Sequence, residues 1–457
     1  MTARVALAAA VLILSVGSVH AQPAPTLDPR IVSLADHVSE ERLVAILKKL
    51  EAFETRNTQS STVSPTRGIG AARQWIFNEL QSYSPRLRVS YDTYRIARQG
   101  RITRDIDARN ILAILQGRNP RRIYISAHYD TVAIEGGQSA NNAGTRGSNG
   151  VVFAQPADPD APNDVPAPGV NDDGSGVALT MELARIFSQS GIEFDATLVF
   201  MCHVAEEQGL MGAKLHAQRA LKEHIPIEAV LNNDIVGNDR GGNGVADSTS
   251  VRVYSEGPED SPSRELARFV QRWGRIYVPS HNVRLLSRSD RFSRGGDHSA
   301  YNEYGFTAVG FRESRENFSR QHDPRDTFDG VTPAYLAQNA RVNIAAAAAL
   351  ALAPPPPSVV NERGQPMINR APSGYDAHLQ WTASPGAAAY RIFWREAWGP
   401  DWQHEQLVGN VTEFVMPNTL IDDLVFGVAA VDAAGHESFV SAYISPGRET
   451  GDVKIVQ

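Results

Sequence analysis

The residues best able to do chemistry lie in five short segments: SAHYDT, VNDDGSG, AEEQG, NNDIVG and QHDPRDT. Each places a metal-ligand residue type beyond a strand-like run, giving His128, Asp172, Glu207, Asp234 and His322 in chain order. Imidazole and carboxylate favour zinc, and manganese or cobalt would also accept ligands that are all oxygen or nitrogen. Two imidazoles and three carboxylates, one of them able to bridge, are enough for two such ions. Glu206 beside Glu207 then remains free to handle protons. Hydrolysis assisted by two metals requires that ligand set and one such base.

Each segment alone has a plainer explanation. Acids at Asp172-Asp173 and Glu206-Glu207 precede helical patterns, where they commonly act only as caps or first-turn charges. Asp234 suits a turn and His322 a surface loop. Two features argue otherwise. The strand Leu198 to Cys202 is too apolar to account for two acids close behind it without a cation, and Asp130 lies two residues after His128, where a carboxylate commonly fixes a ligand imidazole. Five such segments in order, all at strand ends, are more than caps and turns produce. His203 reads as a core histidine, His298 as a structural or pocket residue, and Cys202 as a small buried apolar group.

The elements that must position these residues are legible from periodicity. Ser39 caps a helix carrying Leu43, Ile46, Leu47, Leu50 and Phe53, and a second helix carries Ala71, Trp75, Ile76 and Leu80. Strand patterns follow at Val89 to Ile96, Ile111 to Leu115 and Ile123 to Ala127. Helices at 177–187, 210–221, 265–273 and 334–353 then alternate with strands at 196–202, 229–233 and 307–311. That order predicts an α/β fold, a mainly parallel sheet with helices on both faces. Ligands of such sheets sit beyond the carboxyl ends of the strands, where the five segments fall.

The flanks differ. Arg4 precedes an apolar stretch from Val5 to Val19, and Val19-His20-Ala21 offers a cleavage site, so residues 1–21 read as a secretory signal peptide. The expected location is secreted or periplasmic, with no stable membrane anchor after cleavage. Cys202 is the only cysteine, so no intramolecular disulfide forms. A net charge of −7, with acids and bases mixed along the chain, argues against nucleic acid as partner. Pro354 to Pro357 opens a linker at 354–358. Beyond it, alternation at Leu379 and Trp381, at Tyr390, Ile392 and Trp394, and at Phe426, Val428 and Ala430 predicts a small all-β sandwich over 359–450. This resembles a fibronectin type III module, except that Leu424 stands where the tyrosine-corner residue would fall. Its partner is not legible.

In order and character, the five segments resemble the cocatalytic zinc exopeptidases that include bacterial leucyl aminopeptidase and glutamate carboxypeptidase II, over about 30–353. The resemblance implies two zinc ions: His128 and Asp234 on one, Glu207 and His322 on the other, and Asp172 bridging. It also implies Glu206 as general base, Asp130 orienting His128, and a cis peptide between Asp172 and Asp173. The expected substrate is the N-terminus of a peptide or protein. Competing expectations are a carboxypeptidase, a glutaminyl cyclase on the same fold, and an inactive binding ectodomain. One departure stands out: a Gly-, Asn-, Pro- and Asp-rich loop over 133–168 separates His128 from Asp172. Loops of that length are usually functional or disordered, and this one is expected at the site rim.

Overall fold

The computed structural model describes residues 27–134 and 161–444. The expected signal peptide and most of the 133–168 loop lie outside the described residues. Helix α1 (Pro29–Asp36) is capped by Asp28. Helix α2 (Glu40–Glu51) is capped by Ser39, with Glu40 and Glu41 in its first turn and Lys48 and Lys49 in its last, complementing the helix dipole at both ends. After α3 (Gly68–Tyr83) come the hairpin β1 (Leu87–Ile96) and β2 (Ile106–Leu115), then β3 (Arg122–His128). Helix α4 (Gly174–Gln189), β4 (Thr197–His203), α5 (Met211–Lys222) and β5 (Ile227–Asn233) follow. The domain continues through β6 (Ser250–Ser255), α6 (Pro262–Tyr277), β7 (Asn282–Leu286), α7 (Asp297–Glu303), β8 (Ala308–Glu313) and α8 (Pro333–Leu352).

These strands form one eight-stranded sheet of order β1-β2-β4-β3-β5-β8-β6-β7. Its centre, β4-β3-β5-β8, is parallel. The pairs β1-β2, β2-β4 and β8-β6 are antiparallel and the edge pair β6-β7 is parallel, so the α/β architecture has a mixed sheet around a parallel centre. The hairpin needs only a short turn, whereas each central pair needs a crossover, and the helices supply these. Strands β6 and β7 and helix α1 are absent from the periodicity reading. Arg252 and Arg284 interrupt the apolar runs of those two strands.

Parallel register brings the chemistry together. His128 pairs with His203 across β3-β4, and Ser126 pairs with Asn232 across β3-β5. His128, the turn after β4 and Asp234 therefore leave the sheet at one level. Beneath it, the C-terminal half of α8, from Val342 to Leu352, is wholly buried, and the helix packs against α1, α2, α4 and α6. The first turn of α4 sits directly on the end of β5: a Cβ at Gly176 would lie 2.1 Å from the Asn233 carbonyl oxygen, so only glycine fits.

Two small sheets form the C-terminal β domain, one of β9 (Ile368–Asn369), β10 (Ala377–Gln380) and β13 (Glu413–Met416). The other combines β11 (Ala389–Glu396), β12 (His404–Val408), β14 (Leu424–Val431) and β15 (Ser441–Ala442). Leu379, Trp381, Tyr390, Ile392, Phe426, Val428 and Ala430 form its own core, separate from that of the α/β domain. It docks on the α/β domain through Phe439, which joins that domain's core, and on α6 through polar groups: Trp402 Nε1 donates to Glu265 at 2.9 Å, and Arg272 pairs with Glu405 at 3.1 Å. Among the described residues no helix is long and apolar enough to cross a membrane.

Candidate metal centre

The five expected ligands and Glu206 converge at the carboxyl edge of the central strands. His128 ends β3, Glu206 and Glu207 follow β4, Asp234 follows β5, and His322 comes from the loop after β8. Asp172 precedes Asp173, the N-cap of α4. His128 Nε2 lies 3.3 Å from Asp172 Oδ1 and 3.6 Å from Asp234 Oδ1. His322 Nε2 lies 3.1 Å from Asp172 Oδ2 and 3.2 Å from Glu207 Oε2. Two donor groups result, His128–Asp172–Asp234 and Asp172–Glu207–His322, each with ligand atoms within 4.8 Å of one another and both containing Asp172. A third grouping joins His128 with Glu206 and Glu207.

The chemistry of these donors fits a pair of cations. Asp172 Oδ2 and Glu207 Oε1 are buried acceptors with no hydrogen bond, and such atoms are costly unless a cation or donor meets them. Burial alone would lower the imidazole pKa of His322, yet Glu207 and Asp172 raise it to about 10. His128 is likewise held well above its ordinary range, against its burial, by Glu206 and the carboxylates around it. The cluster calls for positive charge, and its histidine and carboxylate sets are compatible with a zinc-type di-metal site.

Second-layer hydrogen bonds fix this edge. The Asp172–Asp173 peptide is cis. Asp173 accepts from the backbone N–H groups of His128 at 3.1 Å, Gly176 at 3.0 Å and Ile235 at 3.1 Å, tying three ligand segments with one carboxylate. Asp130 differs in detail from the expectation. Its backbone carbonyl, 3.1 Å from His128 Nδ1, is the nearer acceptor, with its carboxylate at 3.6 Å. That carboxylate instead accepts from the N–H groups of Glu206 at 3.1 Å and Glu207 at 3.3 Å, so Asp130 orients three site residues at once. His203 and His298 are fully buried outside the donor groups; His298 contacts the Ser289 carbonyl at 2.7 Å.

Four further residues escaped the sequence reading. Asp326 accepts from the N–H groups of Asn171 at 3.0 Å and Asp172 at 2.9 Å. Arg312, wholly buried, donates to the Asp234 carbonyl at 2.9 Å and pairs closely with its carboxylate. Arg56 makes carbonyl bonds that include Tyr129 at 2.8 Å and Gly169 at 2.8 Å, bracing the approach to Asp172. Asp297 is buried with both carboxylate oxygens unpartnered, and burial, with Asp234 and Asp130 nearby, raises its carboxyl to about 8. Two of the four lay beside residues singled out from the sequence, Asp297 next to His298 in GGDHS and Asp326 within QHDPRDT, without a role being assigned to either. Residues 110–347 match Peptidase family M28. A probable zinc metalloprotease of Pyricularia oryzae is 36% identical over 93% of this chain and 86% of its own length.

The chain belongs to peptidase family M28. It is a zinc-dependent metallopeptidase. A second relative, a probable zinc metalloprotease of Leptosphaeria maculans, is 32% identical over 93% of this chain and 99% of its own length. Among solved structures, the LapA aminopeptidase of Legionella pneumophila superposes with a TM-score of 0.51 at 18% identity, over 73% of this chain and 78% of that one. A glutaminyl cyclase of Porphyromonas gingivalis gives a TM-score of 0.50 at 17% identity, over 68% and 98%. At such identities the likeness is one of fold, shared by M28-type peptidases and cyclases alike.

Proposed function

We propose that this M28 chain is an exported aminopeptidase releasing N-terminal residues from peptides or proteins with two zinc ions. The observation carrying this reading is that two donor groups share Asp172 while Glu206 stands beside them without belonging to either. His128 and Asp234 would hold one ion, Glu207 and His322 the other, with Asp172 spanning both. Bound zinc would supply Lewis acidity there. Glu206 would take a proton from the attacking water and return it to the leaving amine. Asp130 keeps the Glu206–Glu207 turn and the His128 ring in place. LapA, described as an aminopeptidase, shares this fold, and attack at the amino end is compatible with that likeness. A glutaminyl cyclase, generally a one-metal enzyme, would leave part of this donor set unused. Export rests on the Arg4 and Val5 to Val19 pattern, and the C-terminal β domain is read as a fibronectin type III-like module.

The test is a digest of peptides with free and acetylated N-termini by the zinc-loaded protein, read by mass spectrometry, alongside aminoacyl-nitroanilide hydrolysis. Stepwise loss from free N-termini is expected; loss from the carboxyl end would overturn the assignment. Glu206→Gln should lower turnover on the order of 100- to 10,000-fold with zinc content intact. Native turnover in that variant would remove Glu206 from its role.

A further inference from the structure

The turn that carries Glu206 and Glu207 is strained at both ends. Ala205 and Leu210 stand in the left-handed region, at φ 58° and 62°, where a residue with a Cβ is disfavoured. Within the turn, the Glu206 carbonyl accepts from Gly209 and Leu210, each at 2.8 Å, and the Ala205 carbonyl accepts from Met211 at 2.9 Å. The N–H groups of Glu206 and Glu207 go to the Asp130 carboxylate. The Glu207 carbonyl is left for a group from elsewhere.

That group is Arg101. Its Nη1 donates to the Glu207 carbonyl at 2.8 Å, the one hydrogen bond this oxygen accepts among the described residues. Arg101 belongs to the connection between β1 and β2, an element that supplies none of the proposed ligands. Gln99 and Ile102 bond each other in both directions there, at 3.0 and 2.8 Å, and Gly100 turns the chain at φ 52°. Gly100 and Arg101 are therefore the tip of a tight hairpin.

A buried segment at 55–60 holds that tip. Gln59 Nε2 donates to the Arg101 carbonyl at 3.1 Å, and Gln59 Oε1 accepts from the N–H of Thr103 at 2.7 Å and from its Oγ1 at 2.8 Å. Next to it, Thr58 Oγ1 donates to Asp130 Oδ2 at 3.1 Å, the same oxygen that accepts from Glu207. One segment thus grips the Glu206–Glu207 turn from two sides. Thr58 acts through Asp130 on its N–H groups, and Gln59 acts through Arg101 on its carbonyl. Both carboxylates ride on this one piece of backbone, so a shift at the Glu207 carbonyl would move them together.

We propose that Arg101 is a positioning residue for the metal centre. From the tip of a hairpin without ligands, it fixes the turn that aims Glu207 at its ion and Glu206 at the attacking water; this rests on the two-zinc exopeptidase reading above. A guanidinium on a carbonyl makes a charge-assisted bond, and removing partners of this kind typically costs about 10- to 100-fold in metal affinity or activity.

The full chain is compared with Arg101→Gln, which is too short to reach the carbonyl, and with Arg101→Lys, which keeps a charged donor. Zinc affinity is measured on metal-free protein by chelator competition, and hydrolysis of leucyl-nitroanilide is measured at saturating zinc. Arg101→Gln should weaken binding of one zinc ion roughly 10-fold and lower kcat by a similar factor, with KM within about 2-fold of native. Arg101→Lys should recover part of both losses, and the three metal-free proteins should melt together. Zinc affinity unchanged in Arg101→Gln, or Arg101→Lys no better than Arg101→Gln, would overturn the proposal. A metal-free Arg101→Gln protein melting several degrees below native would make Arg101 a prop of the fold and overturn it equally. Native protein that binds two zinc ions yet hydrolyses neither the nitroanilide nor peptides would instead overturn the exopeptidase reading, and a weakened zinc site in Arg101→Gln would still establish the role of Arg101.

Discussion

Asp326 braces the candidate centre without belonging to either donor group. It holds the N–H groups of Asn171 and Asp172 and so aims the carboxylate common to both donor groups. Groups of this kind typically change metal affinity by about 10- to 100-fold when removed. Asp326→Ala should therefore weaken zinc binding by that order in a chelator competition, with the protein still folded by circular dichroism. Unchanged affinity would mean the Asp172 turn holds itself. The expected ligands stood out in the sequence because they are of ligand type and three of them, His128, Glu207 and Asp234, end or closely follow strand runs. Asp326 and Arg56 did not, because a carboxylate gripping backbone N–H groups and an arginine gripping carbonyls leave no spacing pattern in a chain.

At the scale of elements, the antiparallel hairpin is locked to α5 by a buried carboxylate. Asp92 on β1 accepts from His216 Nδ1 at 2.8 Å, Tyr94 Oη at 2.8 Å and Asn110 Nδ2 at 3.3 Å, and it pairs closely with Arg219. Burial works to raise its pKa, but His216, Tyr94 and Arg219 more than offset this and leave it below the ordinary value of 3.8. A carboxyl depressed in the folded state stabilises the fold above its unfolded pKa, and that contribution fades as pH falls through the lower folded value. Asp92→Asn should cost about 1–3 kcal/mol near pH 7, with the gap to the native protein closing as pH falls below about 4. Thermal melts at several pH values measure this, and a gap that stays constant with pH would exclude the carboxylate as its cause. Periodicity found β1, β2 and α5 but not this lock, since Asp92 and His216 lie far apart in sequence.

For the whole molecule, the metal centre is also a clasp. Its donors come from the ends of β3, β4 and β5, the start of α4 and the loop after β8, so bound cations would join most of the α/β domain. Without them Asp172, Glu207 and Asp234 repel one another in a buried space. A ligand that binds only the folded state adds about 2.7 kcal/mol at a hundred times its dissociation constant. Chelation should therefore lower the melting temperature by several degrees and added zinc should restore it. A melting temperature indifferent to metal would count against a site built from these donors. The β domain, with its own core, should respond less than the α/β domain, and hydrogen exchange can follow the two separately.

The sequence by itself marked the candidate ligand types, their order along the chain and the alternation that makes an α/β domain, because residue type and apolar period are local properties. It also marked the change to an all-β texture after Pro354. Tertiary structure alone decided that the sheet is mixed, that α8 packs among four helices, and that the Asp130 carbonyl lies nearer to His128 Nδ1 than its carboxylate does. It alone carried Arg101 to the Glu207 carbonyl. Strand register, buried charge and long-range hydrogen bonds depend on which distant segments meet, and a linear pattern does not encode which they are.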